Sequence, residues 1–308
     1  MDNPKQTLTY EELVPWAFRI PFEDERSQKP CVIRKDDAMF LSFATEPGNR
    51  VPTWIYLSTP SLTAGVFEVP PLSWYDPSNH PEVELYYMLG GTLQFGNPDT
   101  GGLVELSQGD VAVIPPHGYH WGHNFSTETA TILWWVPGGM HPDDLVARLI
   151  ANGGDWTAWY EREPVVLNGP HAENEGFRSQ FPSTRAWPPR AGEPSRADDA
   201  DVVALRRNDW LHTLQGTESS GRVLTSFFYG DEKFQCGESY LPPTREAQPE
   251  TTTDSRLLYV ASEEFIVNLG SGESLWGRRG DMIYLPPDTV HSYQASSAPG
   301  RVLFANAR

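Results

Sequence analysis

The chain has 308 residues, 39% of them apolar and 12% aromatic, which is material for one large packed core or two ordinary ones. A formal net charge of −18 and a pI near 4.8 argue against nucleic acid and against an anionic membrane surface as partners, since both recruit cationic proteins. No stretch approaches the roughly 18 consecutive apolar residues of a membrane span, and the opening MDNPKQTLTYEELVPWAF lacks the basic-then-apolar order of a signal peptide.

In chain order, residues 1–50 are too apolar for a disordered tail, and Trp16, Phe18, Phe22, Met39, Phe40 and Phe43 are expected to pack as an extra layer on the unit that follows. Short runs of β-branched and aromatic residues then recur between Gly, Pro, Asn and Asp clusters: Trp54–Leu57, Gly65–Val69, Glu84–Leu89, Thr92–Phe95, Asp110–Ile114 and Thr131–Val136. Such short strands with frequent turn signals, among them Asn97–Gly102, predict an all-β sandwich or small barrel. One helix is expected after it. Pro142, Asp143 and Asp144 place acids at the positive end of the helix dipole, Leu145, Leu149 and Ile150 share a face, and Asn152-Gly153-Gly154 ends the segment. From Arg178 to Asp201 the chain is rich in Pro, Arg, Ser and Asp and reads as an irregular connection. A core-like pattern returns near Val202, with strands expected at Val223–Tyr229, Leu257–Val260, Glu264–Leu269, Met282–Leu285 and Val302–Ala305. The expected division is thus an extension over 1–50, a first barrel over 51–140, a helix and linker over 141–201, and a second barrel over 202–308. Cys31 and Cys236 are far apart and form no CxxC pair, which points to the reducing cytoplasm.

The two halves are copies of one segment. Gly65, Pro70-Pro71, His80, Glu84, Gly109-Asp110, Pro115-Pro116 and His120 recur as Gly237, Pro242-Pro243, Thr252, Arg256, Gly280-Asp281, Pro286-Pro287 and His291. The offset is 172 residues at Gly65/Gly237 and 171 at His120/His291, a constancy that chance does not produce. In the second copy Thr252 replaces His80 and Arg256 replaces Glu84, so any metal chemistry belongs to the first.

In an extended strand every second side chain returns to one face, which places Glu84, Tyr86 and Met88 together, and likewise His120, Gly122 and Asn124. If the two strands neighbour one another inside a barrel, His80, Glu84 and His120 converge. Two imidazoles and one carboxylate form a facial set suited to Fe(II), with Mn, Ni, Co and Zn chemically admissible. A hydrogen-bonded polar core without metal is the plainer alternative.

The segments NHPEVELYYMLGGTLQF and GDVAVIPPHGYHWGHN resemble the two conserved motifs of the cupin superfamily. The first motif carries HxH, a Glu and then a Gly, matched here by His80, Glu84 and Gly91; the second is matched from Gly109 through Pro115 to His120 and Asn124. The resemblance covers most of residues 50–137 and 220–306 and implies a bicupin: two tandem jelly-roll β-barrels, with a divalent metal inside the first. The chain departs from the pattern at Ser78, which holds the place of the first His of HxH. Three ligands remain, and Ser78, Asp76 or a water completes the shell. Around the site, Tyr86 is the candidate catalytic group facing the cavity, and His117, in the turn near the mouth, is the candidate acid/base group. His123 falls on the opposite face from His120, Asn124 is a weaker contact candidate, and Trp74 and Tyr75 are expected at the rim. The remaining aromatics (Trp121, Trp134, Trp135) read as core. In the second barrel an Arg256 guanidinium cannot coordinate a cation, so that site is expected to be metal-free, with Arg256 paired to Glu250 or Asp254 or holding an anion.

The fold does not fix the activity. Three functions fit the residues: an Fe(II) dioxygenase of a small aromatic or enolic compound; a redox-neutral isomerase, lyase or cyclase of a carbonyl compound; and a non-catalytic small-molecule-binding bicupin. A small molecule is the expected partner, and a homodimer through barrel edges is left open.

Overall fold

The computed structural model describes residues 29–46, 49–59, 61–78, 82–97, 102–116, 118, 120–137, 202–216 and 222–308. The expected helix at Pro142 and the linker from Arg178 to Asp201 lie outside the described residues, as do Trp16, Phe18 and Phe22. The first half carries strands β1 (Cys31–Ile33), β2 (Met39–Glu46), β3 (Asn49–Ser58), β4 (Leu62–Val69), β5 (Trp74–Ser78), β6 (Glu84–Gly90), β7 (Thr92–Gly96), β8 (Leu103–Ser107), β9 (Val111–Ile114), β10 (His120–His123) and β11 (Ala130–Pro137). The second carries β12 (Val203–Leu205), β13 (Leu211–Gln215), β14 (Val223–Gly230), β15 (Phe234–Leu241), β16 (Glu250–Thr251), β17 (Ser255–Val260), β18 (Glu264–Leu269), β19 (Ser274–Arg278), β20 (Met282–Leu285), β21 (Val290–Ala295) and β22 (Gly300–Ala307). Every strand expected from the sequence is present, and no helix among the described residues is long and apolar enough to cross a membrane.

Each half folds as two facing antiparallel sheets, the jelly-roll arrangement. In the first, a seven-stranded sheet β12-β9-β6-β11-β4-β3-β2 faces a four-stranded sheet β5-β10-β7-β8. In the second, β1-β20-β17-β22-β15-β14-β13 faces β16-β21-β18-β19. The edge strands are exchanged. Cys31–Ile33 of the first copy pairs with β20 of the second barrel, and Val203–Leu205, just past the expected boundary near Val202, pairs with β9 of the first. The remainder of the 1–50 segment that is described, β2, extends the first barrel's sheet beside β3. Each exchanged strand covers a sheet edge that would otherwise present unpaired backbone groups.

A matching polar pair accompanies each exchange. Asp110 and Asp281 follow Gly109 and Gly280, both at φ +90°, a conformation that glycine reaches without strain. Asp110 accepts the Ser107 backbone N–H at 2.8 Å and pairs with Arg206 beside β12; Asp281 accepts the Arg278 N–H at 2.9 Å and lies 3.8 Å from Arg34 beside β1. The Gly-Asp dipeptide therefore closes its own turn and holds the neighbouring barrel's strand.

The large sheets pack against one another, which explains why their strands read as nearly unbroken apolar runs. On β6, Tyr86 and Met88 face the barrel interior, whereas Leu85 and Tyr87 face a core shared by both barrels. On β11 the interior residues are Ile132, Trp134 and Val136, and the shared ones Leu133 and Trp135; on β22, Val302 and Phe304 against Leu303 and Ala305. Side chains alternate with period two, yet neither face meets water. Within the shared core Phe228 stacks on Tyr87 (centroids 5.5 Å, planes 25° apart) and meets Trp210 at 4.3 Å, and the Tyr56 hydroxyl donates to the Gly280 carbonyl at 2.9 Å. Because Phe228 is buried among aromatics of both halves, Phe228→Ala should lower stability by about 3–5 kcal/mol. Urea denaturation of the two proteins checks this, and a change under about 1 kcal/mol would mean the inter-barrel core is not a stabilising one.

Candidate metal centre

Strand β6 of the large sheet and β10 of the small one lie across the interior of the first barrel, and each contributes one buried polar residue: Glu84 and His120. Nε2 of His120 lies 3.2 Å from Oε2 of Glu84 and 3.2 Å from the Tyr86 hydroxyl. Nδ1 of His120 lies 3.1 Å from the Gly118 carbonyl oxygen. A carbonyl can only accept, so Nδ1 carries a proton there and Nε2 is the nitrogen turned inward. Nε2, the Tyr86 hydroxyl and the Glu84 carboxylate thus meet at close range in the buried interior. An imidazole oriented through Nδ1 by a backbone carbonyl and aimed beside a carboxylate is the arrangement metal ligands adopt. The described donors therefore fit a divalent cation.

The rest of the expected set is placed as follows. His80 and His117 lie outside the described residues. Ser78 is the residue paired with His120 across β5 and β10, so the strand that precedes His80 runs directly beside His120. Among the described residues no group of three or more His, Cys, Asp and Glu gathers. The β5–β10 register shifts between His120 and Gly122, and Pro77 is tolerated there because β5 is a sheet edge. Tyr86 is wedged between Phe67 at 5.3 Å and Phe95 at 5.1 Å, an apolar wall behind its hydroxyl. His123 points out of the barrel, as its position in the strand predicts, and sits between the rings of Trp74 (5.8 Å) and Phe125 (5.3 Å); burial pushes its pKa down. Asn124 is absorbed by structure. Its amide donates to the carbonyls of Val69 (2.8 Å) and Glu128 (2.7 Å), and its oxygen accepts from the backbone N–H and hydroxyl of Ser126.

The second barrel shows the same constellation with a cation built in. Nη1 of Arg256, at the place of Glu84, bonds Glu250 and lies 3.2 Å from Nε2 of His291 and 2.5 Å from the Tyr293 hydroxyl, while its Nε donates to Asn306 at 2.8 Å. His291 is anchored as His120 is, with Nδ1 2.8 Å from the Thr289 carbonyl. The pairing is with Glu250; Asp254 pairs with Arg308, and Thr252 binds its own loop at Asp254. Sequence reasoning missed Tyr293 and Asn306. Tyr293 was within reach, because it follows His291 by two residues on one strand face.

Residues 65–136 match the family model described as the cupin domain. That segment is a cupin domain. No curated protein matches the sequence. Solved structures match over most of their length and show the fold of both halves. Streptomyces albus HEPD, with its substrate 2-hydroxyethylphosphonate and Fe(II) bound, is 16% identical, with a TM-score of 0.61 over 92% of this chain and 77% of that one. The Lactobacillus farciminis oxalate decarboxylase formate complex is 13% identical, with a TM-score of 0.59 over 91% and 86%. AerE from Microcystis aeruginosa is 11% identical, with a TM-score of 0.56 over 88% and 98%.

The polar centre of the second barrel yields a pH prediction. Burial alone would raise the Glu250 carboxyl, but the hydrogen bond to His291 and the charge of Arg256 hold it at about 2 instead of its ordinary 4.5. The folded pKa is depressed, so the associated stability is complete above pH 4.5 and is lost as pH falls from about 4.5 towards 2. Urea midpoints of wild type and Glu250→Gln should differ at neutral pH and converge as pH falls through that window. A difference that stays constant down to the acid limit would remove Glu250 from the account.

Proposed function

We propose that this bicupin is a metal-dependent enzyme whose first barrel holds a divalent cation, Fe(II) by preference, between His80, Glu84 and His120, and that it is a dioxygenase of a small aromatic or enolic compound. The observation that carries the reading is the inward Nε2 of His120 beside the Glu84 carboxylate, in the place where the twin barrel keeps a guanidinium. The fold shared with HEPD, whose structure contains Fe(II), and with oxalate decarboxylase supports it. The two free cysteines, Cys31 and Cys236, support a reducing compartment.

When bound, the cation supplies Lewis acidity and, as Fe(II), the redox chemistry for reaction with O₂, both of whose atoms enter the product so that no external reductant is needed. The protein's own residues do the rest. The Gly118 carbonyl holds Nδ1 of His120, so that the ring keeps Nε2 turned towards the centre. Glu84 contributes the negative charge that offsets a dication in an interior closed to water. The Tyr86 hydroxyl, 3.2 Å from Nε2, is the proton donor or acceptor nearest the centre and orients an oxygen of the substrate. Phe67 and Phe95 hold its ring and give the cavity an apolar wall suited to a flat substrate. Ser78, beside His120, leaves one protein ligand fewer than the family motif carries and thus an open position for substrate or oxygen.

Metal analysis by mass spectrometry and an oxygen electrode test the reading on the full chain. Glu84→Gln and His120→Ala should lower bound metal by more than the roughly 10–100-fold that loss of an outer partner costs, whereas Arg256→Ala should leave metal content unchanged. Tyr86→Phe should keep the metal and lower kcat by roughly 100-fold. Turnover without oxygen uptake would replace the dioxygenase by a redox-neutral isomerase, lyase or cyclase. Absence of bound metal in wild type under metal-replete conditions would leave a binding protein.

A further inference from the structure

Outside both barrels, a cleft of about 470 Å³ opens between them, lined by Tyr87, Trp210, Tyr240, Arg207, Arg279 and Arg301 among others. Three arginines around one cleft are unexpected in a chain with 23 basic and 41 acidic residues. We propose that this cleft binds a small organic or inorganic dianion, a dicarboxylate or a phosphate, through the guanidinium groups of Arg207, Arg279 and Arg301.

The local carboxylates neutralise these groups only in part, one Glu238 standing between Arg301 and Arg207. Glu238, fully buried, is taken by Arg301, whose Nη2 lies 2.7 Å from Oε2 and 2.5 Å from the Tyr87 hydroxyl. Asp110 is taken by Arg206 and by the Ser107 N–H. Arg207 is left with the Tyr240 hydroxyl at 3.5 Å and with Glu238 at 3.7 Å, beyond hydrogen-bond reach. Arg279 makes no ion pair among the described residues, and the buried Trp210 Nε1–H has no acceptor there. The excess of charge is a property of this cleft and does not follow from the duplication. At the related positions of the other repeat stand Lys35 for Arg207 and Gln108 for Arg279, and Lys35 is already paired with Glu68 at 3.4 Å. Guanidinium groups lining one recess match oxyanions of carboxylate or phosphate type; Arg207 and Arg279 have N–H groups to spare, and Arg301, held by Glu238 and Tyr87, keeps Nη1. The volume lies within the range of small-molecule sites.

Isothermal titration of the full chain with succinate, with inorganic phosphate and with the uncharged succinamide tests the proposal. Succinate or phosphate should bind saturably at low salt, the stronger of the two identifying the anion, and succinamide should not. Arg207→Ala and Arg279→Ala, whose side chains are exposed and outside the cores, should each weaken binding about tenfold or more, with an unchanged thermal midpoint to show that the fold is intact. Absence of saturable binding by both anions, equal binding of succinamide, or undiminished affinity in the double variant would each overturn it; the last would place the anion elsewhere, for instance at Arg256. None of these outcomes bears on the metal centre.

Discussion

The polar residues inside each barrel are arranged around one imidazole. His120 and His291 are each locked through Nδ1 onto a backbone carbonyl and point Nε2 into the interior beside a glutamate, Glu84 buried and Glu250 partly exposed. Burying a carboxylate is costly unless charge or hydrogen bonds offset it. The second barrel answers it with Arg256, carried on β17. At that position β6 of the first carries Glu84, and among the described residues no guanidinium stands in its place. What differs between the barrels at this position is therefore the sign of the charge set beside the histidine.

The neighbouring aromatic follows the same logic. In the second barrel Tyr293 stands two residues after His291 and its hydroxyl reaches both Nε2 (3.0 Å) and Arg256, with the small Ala247 beside it on the adjacent chain. In the first barrel the two sizes are interchanged: Gly122 replaces Tyr293 and Tyr75 replaces Ala247. A Cβ at Gly122 would lie 2.3 Å from Cε1 of Tyr75, so the glycine is what admits the ring. The ring lies 6.4 Å from His120 in edge-to-face contact, and the hydroxyl beside Nε2 comes from the opposite sheet, from Tyr86. An aromatic ring is kept next to each histidine, Tyr86 and Tyr75 in the first barrel and Tyr293 in the second.

The fold was legible because two independent regularities coincide in the residues. An offset of 172 residues joins Gly65 to Gly237 and one of 171 joins Gly109-Asp110 to Gly280-Asp281, so both barrels and most strand limits follow from pattern alone. Glu84 and His120 were legible as a pair because even spacing and the motif agree. The strand exchange was not. Cys31–Ile33 and Val203–Leu205 are three residues each, too short to carry periodicity, and which sheet edge they join is decided by Arg34 and Arg206 reaching aspartates far away in sequence. Register likewise hides Tyr75, which approaches His120 only because β5 slips by one residue against β10. Asn124 misled for a related reason: its place on the His120 face is real, but four local hydrogen bonds leave it nothing to offer a substrate.

The same contacts explain why the barrels behave as one body. Strand β6 has Glu84 and Tyr86 on its inner face and Leu85 and Tyr87 on its outer face, and Tyr87 stacks on Phe228 and receives Arg301, both from the second half. A strand fixed on both sides cannot tilt to accommodate a ligand without disturbing the shared core, because close-packed interiors transmit displacement instead of absorbing it. The position of the Glu84 carboxylate is thus set by residues about 140–220 positions away in the chain. The second barrel thus has a structural part in the candidate site of the first: it is the surface against which β6 is pressed.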